Sequence, residues 1–385
     1  MAGKIAALVV VCGVVLTLTA SAGAATVSFS GPTDDGVGSM PVSVAVADFD
    51  GDSDPDLAVA NLGSAEVSVL LGGPGGSFGA ASNFGAGSNP VSVAIGDFNG
   101  DSDPDVAVAR SGVNTNNVMV RLGGAGGTFG GATFYDAGDN SRSIAVGDFN
   151  GDSDPDLVVA NSDSDDVSIL LGGPGGTFGA PTDFAANNTP VWVAVGDFNG
   201  DSDPDLAVGN SGPDRISILV GGAGGTFALS GTLAVNLPRE IAVGDFNGDS
   251  DPDLAVGTFF PASVAVFLGG AGATFGPRTF YGTIGDEPES ITVADLDGDC
   301  DADIASIGSF ARGVSVLLGG PGGTFAFDGN FANDRNGQSI ASGDFDQDGD
   351  PDLAFTGTDV VSVLLNSTGE LHGHGHHPPR RHHCR

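Results

Sequence analysis

Four carboxylates and one carboxamide fall within the nine residues from Asp97 to Asp105, DFNGDSDPD, and the chain repeats this arrangement seven times. The other copies are DFDGDSDPD at Asp48, DFNGDSDPD at Asp148, Asp197 and Asp245, DLDGDCDAD at Asp295 and DFDQDGDPD at Asp344. Positions 1, 5, 7 and 9 are Asp in every copy, and position 3 is Asp or Asn. The alternate-position oxygen donors are therefore Asp48, Asp50, Asp52, Asp54 and Asp56 in the first loop, and Asp97, Asn99, Asp101, Asp103 and Asp105 in the second. The third and fourth supply Asp148, Asn150, Asp152, Asp154 and Asp156, then Asp197, Asn199, Asp201, Asp203 and Asp205. The fifth supplies Asp245, Asn247, Asp249, Asp251 and Asp253; the sixth, Asp295, Asp297, Asp299, Asp301 and Asp303; the seventh, Asp344, Asp346, Asp348, Asp350 and Asp352.

Side-chain oxygens at alternate positions of a tight turn can converge on one point. Ca²⁺ takes six to eight oxygens of mixed type, whereas Mg²⁺ prefers a strict octahedron and its own waters. Zinc calls for His or Cys, which the loops lack apart from Cys300. The loops hold 31 of the 49 acidic residues. Without a cation, each close pair of like charges costs about 1 kcal/mol even in a water-like dielectric. A merely solvated acidic turn, or a halophilic surface, would not gather the acids into seven matching clusters. Up to seven Ca²⁺, one per loop, is the expectation.

The formal net charge is −37, and Lys4 is the only lysine. Nucleic-acid and anionic-membrane binding need Lys and Arg to neutralise phosphate, so this balance argues against both.

The loops start 48 to 51 residues apart. Such a period marks a solenoid, propeller or array. Within one period, VSVAIGDF from Val91, DVAVA from Asp105 and VMVRLGG from Val118 alternate at period two, and GTFGGATFY from Gly127 follows a Gly-rich turn. Four short strands per period of this length predict a propeller blade rather than a β-helix coil. The last period ends with VSVLLN at Asn366 and lacks the GTFG segment, while TVSFSGPTDD from Thr26 aligns with GTFGAPTDF from Gly176 and has no preceding partners. The expectation is an all-β, seven-bladed β-propeller of four-stranded antiparallel blades, closed by the N-terminal strand completing the last blade, with no long edge left open.

Residues 1–25 read as a signal peptide: Lys4, then an apolar run from Ile5 to Leu18, then the small-residue patterns Ala20-Ser21-Ala22 and Ala22-Gly23-Ala24. The run is short for a bilayer span, so an uncut anchor is the weaker reading. The expected domains are a signal peptide at 1–25, the propeller at 26–366 and a His-rich disordered tail at 367–385 that carries all six histidines. The expected location is secreted or at the cell surface, without an integral span. Cys300 and Cys384, left after signal removal, do not make a disulfide framework.

The loops are neither EF-hands, whose position 12 is Glu where the first loop has Val59, nor RTX nonapeptides, since LGGPGGTFG at Leu171 has the glycines without the Asp. The chain resembles the FG-GAP (VCBS, integrin-α-like) repeat family from Thr26 to Asn366. The resemblance rests on the loops, on Phe178-Gly179 with Ala180-Pro181, on the lead-in Gly196 to Asp201 and on the strand Leu206 to Val208. It implies a seven-bladed propeller with a Ca²⁺ loop between the first two strands of each blade. In that family the side chains at positions 1, 3, 5 and 9 bind the metal together with the carbonyl at position 7; in the first loop these are Asp48, Asp50, Asp52 and Asp56, with Asp54 through its C=O. The family usually places a left-handed Gly at position 6. Here only Gly349 does so, against five serines and Cys300. Gln347 replaces Gly at position 4 of the last loop, Ala302 replaces Pro at position 8 of the sixth, and the FG pair is Phe227-Ala228 and Phe325-Ala326 in two blades.

Residues that break the repeat are where a site would hide. Trp192, the only Trp, lies on an inner strand; Arg142 and Arg239 precede inner strands near the expected channel mouth. The bland reading makes Trp192 core, Arg239-Glu240 a local ion pair, and Tyr135 and Tyr281 packing residues. No nucleophile–base constellation or phosphate loop is present. The chain therefore reads as a non-enzymatic, monomeric binding, adhesion or scaffold module for an extracellular protein or glycan. The alternative is a carbohydrate-active propeller: a lectin, with similar pockets between blades, or a lyase-like enzyme, with one asymmetric pocket.

Overall fold

The computed structural model describes residues 26–112, 117–283, 287–308, 313–331 and 337–368, and among them there are strands, turns and bends but no helix. The signal-peptide segment and the histidines lie outside the described residues. Seven four-stranded antiparallel sheets form a seven-bladed β-propeller. Blade 1 runs Pro41–Ala47, Asp56–Asn61, Glu66–Leu70 and Ser82–Gly85, each strand pairing with the next. Blades 2 to 7 open with Pro90–Gly96, Ser141–Gly147, Pro190–Gly196, Pro238–Gly244, Ser290–Ala294 and Ile340–Gly343. Each opening strand packs against the opening strand of the next blade, and blade 7 packs against blade 1, so these seven line a central channel.

Burial explains the composition of the strands. In Asp56–Asn61 every residue is buried, because neighbouring blades cover both faces of the sheet. Val and Ala suit that position: they are β-compatible and small enough for sheets packed face to face. The fourth strands are mostly exposed, as in Ser82–Gly85.

Seven buried clusters hold the ring, each spanning two blades; one joins Ala58 and Val67 of blade 1 to Val93 and Val106 of blade 2. The Phe at loop position 2 meets the FG Phe of the following blade edge-on. The pairs are Phe49–Phe129 at 5.6 Å, Phe98–Phe178 at 5.3 Å, Phe149–Phe227 at 5.6 Å, Phe198–Phe275 at 5.7 Å, Phe246–Phe325 at 5.4 Å and Phe345–Phe78 at 5.7 Å. Such pairs add about 0.5–1.5 kcal/mol each beyond area burial. At the seventh seam Leu296 takes the loop position and packs in one cluster with Phe29. The N-terminal Phe29 thus serves as the missing FG aromatic of blade 7.

The ring closes where the two chain ends meet. Thr33–Gly36 pairs with Val360–Leu364 in the register Thr33↔Val363, completing blade 7. The Ser30 amide donates to the Leu365 carbonyl at 2.8 Å, matching the Gly79–Leu71 bond of blade 1.

The sequence placed one strand across each GTFG segment, and the structure divides it. In blade 1 Gly72–Gly73 and Ser77–Phe78 make a small hairpin, turned by Gly75 and Gly76 at φ 69° and 71°, and the fourth strand starts afterwards. In blades 4 and 6 the two pieces fuse into Thr226–Ala234 and Thr324–Phe331. These are the two blades with Ala in place of the FG glycine; Gly weakens a strand interior, and Ala lets it continue.

Candidate metal centres

The acidic loops join the first and second strands of each blade, at the channel end opposite to where the first strands begin. A carboxylate cascade holds each loop in shape. Asp48 Oδ1 accepts the amides of Gly51 at 2.8 Å and Asp52 at 3.2 Å, and its Oδ2 accepts that of Ser53 at 3.0 Å. Asp50 Oδ1 accepts the Asp52 amide and Asp52 Oδ1 the Asp54 amide. Asp97, Asp148, Asp197 and Asp245 repeat the position-1 pattern. The backbone at position 6 is left-handed throughout: Ser53, Ser102, Ser153, Ser202, Ser250 and Cys300 have φ between 71° and 74°, and Gly349 has 98°. The L-residues there carry strain of about 1–2 kcal/mol each.

The position-9 carboxylates are wholly buried. Asp56 Oδ2 accepts the Phe49 amide and Oδ1 the Gly72 amide, both at 2.6 Å. Asp105, Asp156, Asp205, Asp253, Asp303 and Asp352 repeat the pair of bonds, with Asn366 supplying the second amide in blade 7. These residues tie the loop to the outer hairpin. Burial raises their pKa against the pull of the amides, and neighbouring loop aspartates add to it: Asp56 to about 6, Asp303 and Asp352 to about 7. Asp105, Asp156, Asp205 and Asp253 shift in the same direction.

Position 3 divides the loops into two kinds. In blades 2, 3 and 4 the Asn99, Asn150 and Asn199 amides donate to Asp101, Asp152 and Asp201 at 2.9 Å, so the carboxamide neutralises part of its own loop. In blades 1, 6 and 7 position 3 is Asp, and no such donor exists. There three carboxylates gather with ligand oxygens within 4.8 Å of one another: Asp48, Asp50 and Asp56; Asp295, Asp297 and Asp299; Asp344, Asp346 and Asp348. Asp297 Oδ2 and Asp344 Oδ1 are buried without a hydrogen-bond partner. Burial, with Asp299 next, raises Asp297 to about 6. Orphaned oxygens in an all-oxygen carboxylate triad suit a hard divalent cation. The three loops belong to consecutive blades around the seam where the ring closes. Across that seam Gln347 Nε2 donates to the Ser53 carbonyl at 3.0 Å and to the Asp54 carboxylate.

At the other end of the channel, the second residues of the opening segments form a mixed ring: Val42, Val91, Arg142, Val191, Arg239, Glu289 and Gln338. Just below it runs a belt that the sequence reading did not identify. Ser43 Oγ accepts the Val93 amide of the next blade at 3.2 Å, and Ser92, Ser143, Ser290 and Ser339 do the same to Ile144, Val193, Ile340 and Val44. The belt departs from Ser at Trp192 and Glu240. The Glu240 carboxylate keeps the bond, to Ile291 N–H and the Ser290 hydroxyl; its burial among the strands raises it to about 8, although the side chain retains some channel solvent. The aligned third positions, S-S-S-W-E-S-S, carry the signal that would have revealed this belt.

Trp192 packs partly into a blade 4–5 cluster and also lines the channel mouth. Arg239 forms no ion pair with Glu240 among the described residues; its guanidinium lies 5.3 Å from the Phe259 ring, and its Nε is buried without a partner. Tyr135 and Tyr281 pack on Phe178 and Phe325 at 5.3 and 5.2 Å. Cys300 is disulfide-bonded; Cys12 and Cys384 lie outside the described residues.

Two crystal structures of BBS1N in complex with ARL6DN, soaked with lead and with mercury, superpose with a TM-score of 0.62 each, at 12% and 13% identity. They cover 89% and 88% of this chain and 97% and 96% of BBS1N. At that identity the likeness is one of fold. No curated protein matches the chain in sequence. The FG-GAP-like repeat model matches residues 48–108, 100–159, 148–208, 245–306 and 295–355, and the FG-GAP repeat model matches 189–229. With most of the propeller covered by these repeats, the chain belongs to the FG-GAP repeat family.

Proposed function

We propose that the protein is a calcium-stabilised propeller that works outside the cell as a non-enzymatic binding or scaffold module. The observation that carries this reading is the division of loops: three consecutive blades around the closure seam present converging carboxylates, two of them with a buried oxygen lacking a partner. A bound Ca²⁺ would supply positive charge that cancels the repulsion within a loop. The protein's own residues would do the rest. Positions 1, 3 and 5 offer oxygens, position 9 anchors the loop to the hairpin, and the hydrogen-bonded cascade holds the donors in place. With the loops rigid, the opposite face is free to receive a ligand. The BBS1N propeller was crystallised in complex with ARL6DN, so a propeller of this fold can carry a protein partner. The signal-like residues 1–25 support export.

The test is a panel of extracellular proteins and glycans probed with the mature chain in calcium and in EDTA. Saturable binding to one class, lost in EDTA, is expected. Binding that ignores calcium, or turnover of a panel glycan, would contradict the reading.

A further inference from the structure

The channel mouth opposite the acidic loops is a cavity of about 200 Å³. That lies below the roughly 300–1,000 Å³ of pockets for drug-sized ligands. Its wall is uneven. Blades 1 and 2 contribute Val42 and Val91, whereas blades 3 to 7 contribute Arg142, Trp192, Arg239, Glu240, Glu289 and Gln338.

Two features set this wall apart from a by-product of the repeat. Structural economy would keep Ser in the belt at all seven blades, since each hydroxyl ties two blades together. At Trp192 the chain has given that bond up and placed an indole at the mouth. Arg142 and Arg239 stand on the two blades flanking it. The Arg142 side chain makes no hydrogen bond or ion pair among the described residues, and the Arg239 Nε is buried with none. Among the described residues neither guanidinium donates a hydrogen bond, so both can pair with a ligand that enters the mouth.

We propose that the channel mouth binds a small carboxylate bearing an N–H donor and an apolar side chain, namely a free amino acid or the C-terminal residue of a peptide. The planar fork of a guanidinium matches a carboxylate, and two of them flank the indole. The apolar side chain lies on Trp192 and the valines. Glu289 and Gln338, across the mouth, offer acceptors to the N–H. With Glu240 held protonated near neutral pH by its burial, Arg142 and Arg239 face one ionised carboxylate, Glu289, and the single net positive charge suits a monoanion carrying its own donor better than a dianion such as phosphate. A neutral sugar would leave the guanidiniums unpaired. The inference rests on the reading of the protein as a binding module and names the chemistry of one of its ligands.

Trp192 is the only tryptophan, so its fluorescence reports on the mouth alone. The full mature chain, saturated with calcium, is titrated with L-phenylalanine, Gly-Gly-Phe, phenylalaninamide and D-glucuronate, with calorimetry in parallel. A saturable response to phenylalanine, to Gly-Gly-Phe or to both is expected, and the preference between them identifies the source. Phenylalaninamide, which lacks the carboxylate, and glucuronate, which lacks the N–H and the apolar side chain, should bind at least about tenfold more weakly. Arg142→Gln and Arg239→Gln should each weaken binding by roughly tenfold or more. Arg142 is exposed, so R142Q tests the claim even if R239Q unfolds. Silence from both carboxylates in fluorescence and calorimetry, equal binding of phenylalaninamide, preference for glucuronate, or parental affinity in R142Q would each overturn the proposal. If calcium still raises the melting temperature of the same sample, the failure belongs to this site and not to the metal reading.

Discussion

Asp156 Oδ1 and the Gly172 amide lie 2.6 Å apart, which joins a loop between the first two strands to the hairpin that follows the third. The other oxygen of Asp156 holds the Phe149 amide at 2.8 Å. Each blade is thus pinned across its depth by one buried carboxylate. Gly172 cannot be replaced cheaply either, because a Cβ there would come within 2.3 Å of the Pro155 carbonyl.

Asp156→Ala strands two amides in a buried setting, each costing about 1–3 kcal/mol. The expected loss is about 3 kcal/mol or more in EDTA, measured by urea unfolding. Because Asp156 spends each oxygen on a backbone amide, most of that loss should survive chelation. A loss seen only with calcium would show that Asp156 acts through the ion.

The pH response of the chelated protein follows from the same residues. Asp56, Asp303 and Asp352 hold their protons to about pH 6–7 in the fold, against about 3.9 for an ordinary Asp carboxyl. Between those limits the folded chain binds more protons than the unfolded one, so the stability these groups contribute is fully present below about pH 4 and is lost as pH rises through 6–7. In EDTA the melting temperature should therefore fall from pH 5 to pH 7.5. Calcium, which competes with those protons, should flatten or reverse the trend. Melting curves at the two pH values, with and without the ion, test both halves.

Position 6 offers a gain in stability. Ser153 sits at φ 72°, where glycine pays no Cβ penalty. Ser153→Gly relieves that strain and gives back part of it as unfolded-state entropy, for a net gain of about 0.5 kcal/mol. The midpoint of chemical unfolding should rise slightly in EDTA. A fall would mean that the serine side chain has a role of its own.

The loops should not be equal. Blades 1, 6 and 7 carry Asp at position 3, while blades 2 to 5 carry Asn. Asp50→Asn, Asp297→Asn and Asp346→Asn combined should remove the tightest phase of a calcium titration and leave the weaker one. Weakening of all sites alike would contradict the distinction.

The ring itself was legible in the sequence because its signals are periodic. Loop spacing, the missing GTFG segment of blade 7 and the spare TVSFSG segment fixed both blade number and closure, and Phe29 sits where that alignment puts it. The expected left-handed position 6 is present in all seven loops. The double duty of the position-9 Asp was not legible: composition marks it as an oxygen donor, but only the fold brings the Gly72-type amide to its second oxygen. The serine belt escaped for a related reason. A Ser within VSVAV reads as the small residue of an alternating strand, and its partner lies 50 residues away in the next blade. The break in the FG strands was not legible although Ala228 and Ala326 stood out as departures, because only the backbone shows that Gly after the Phe ends the short strand and Ala lets it continue.

The central claim is that divalent ions neutralise the acidic loops and so stabilise the closed ring. Metal content of the purified mature chain after dialysis against calcium, read with its melting curve in calcium and in EDTA, tests it most directly. Several calcium ions per chain, up to seven, and a clear loss of melting temperature on chelation are expected. A chain that retains no calcium and melts identically in EDTA would contradict it.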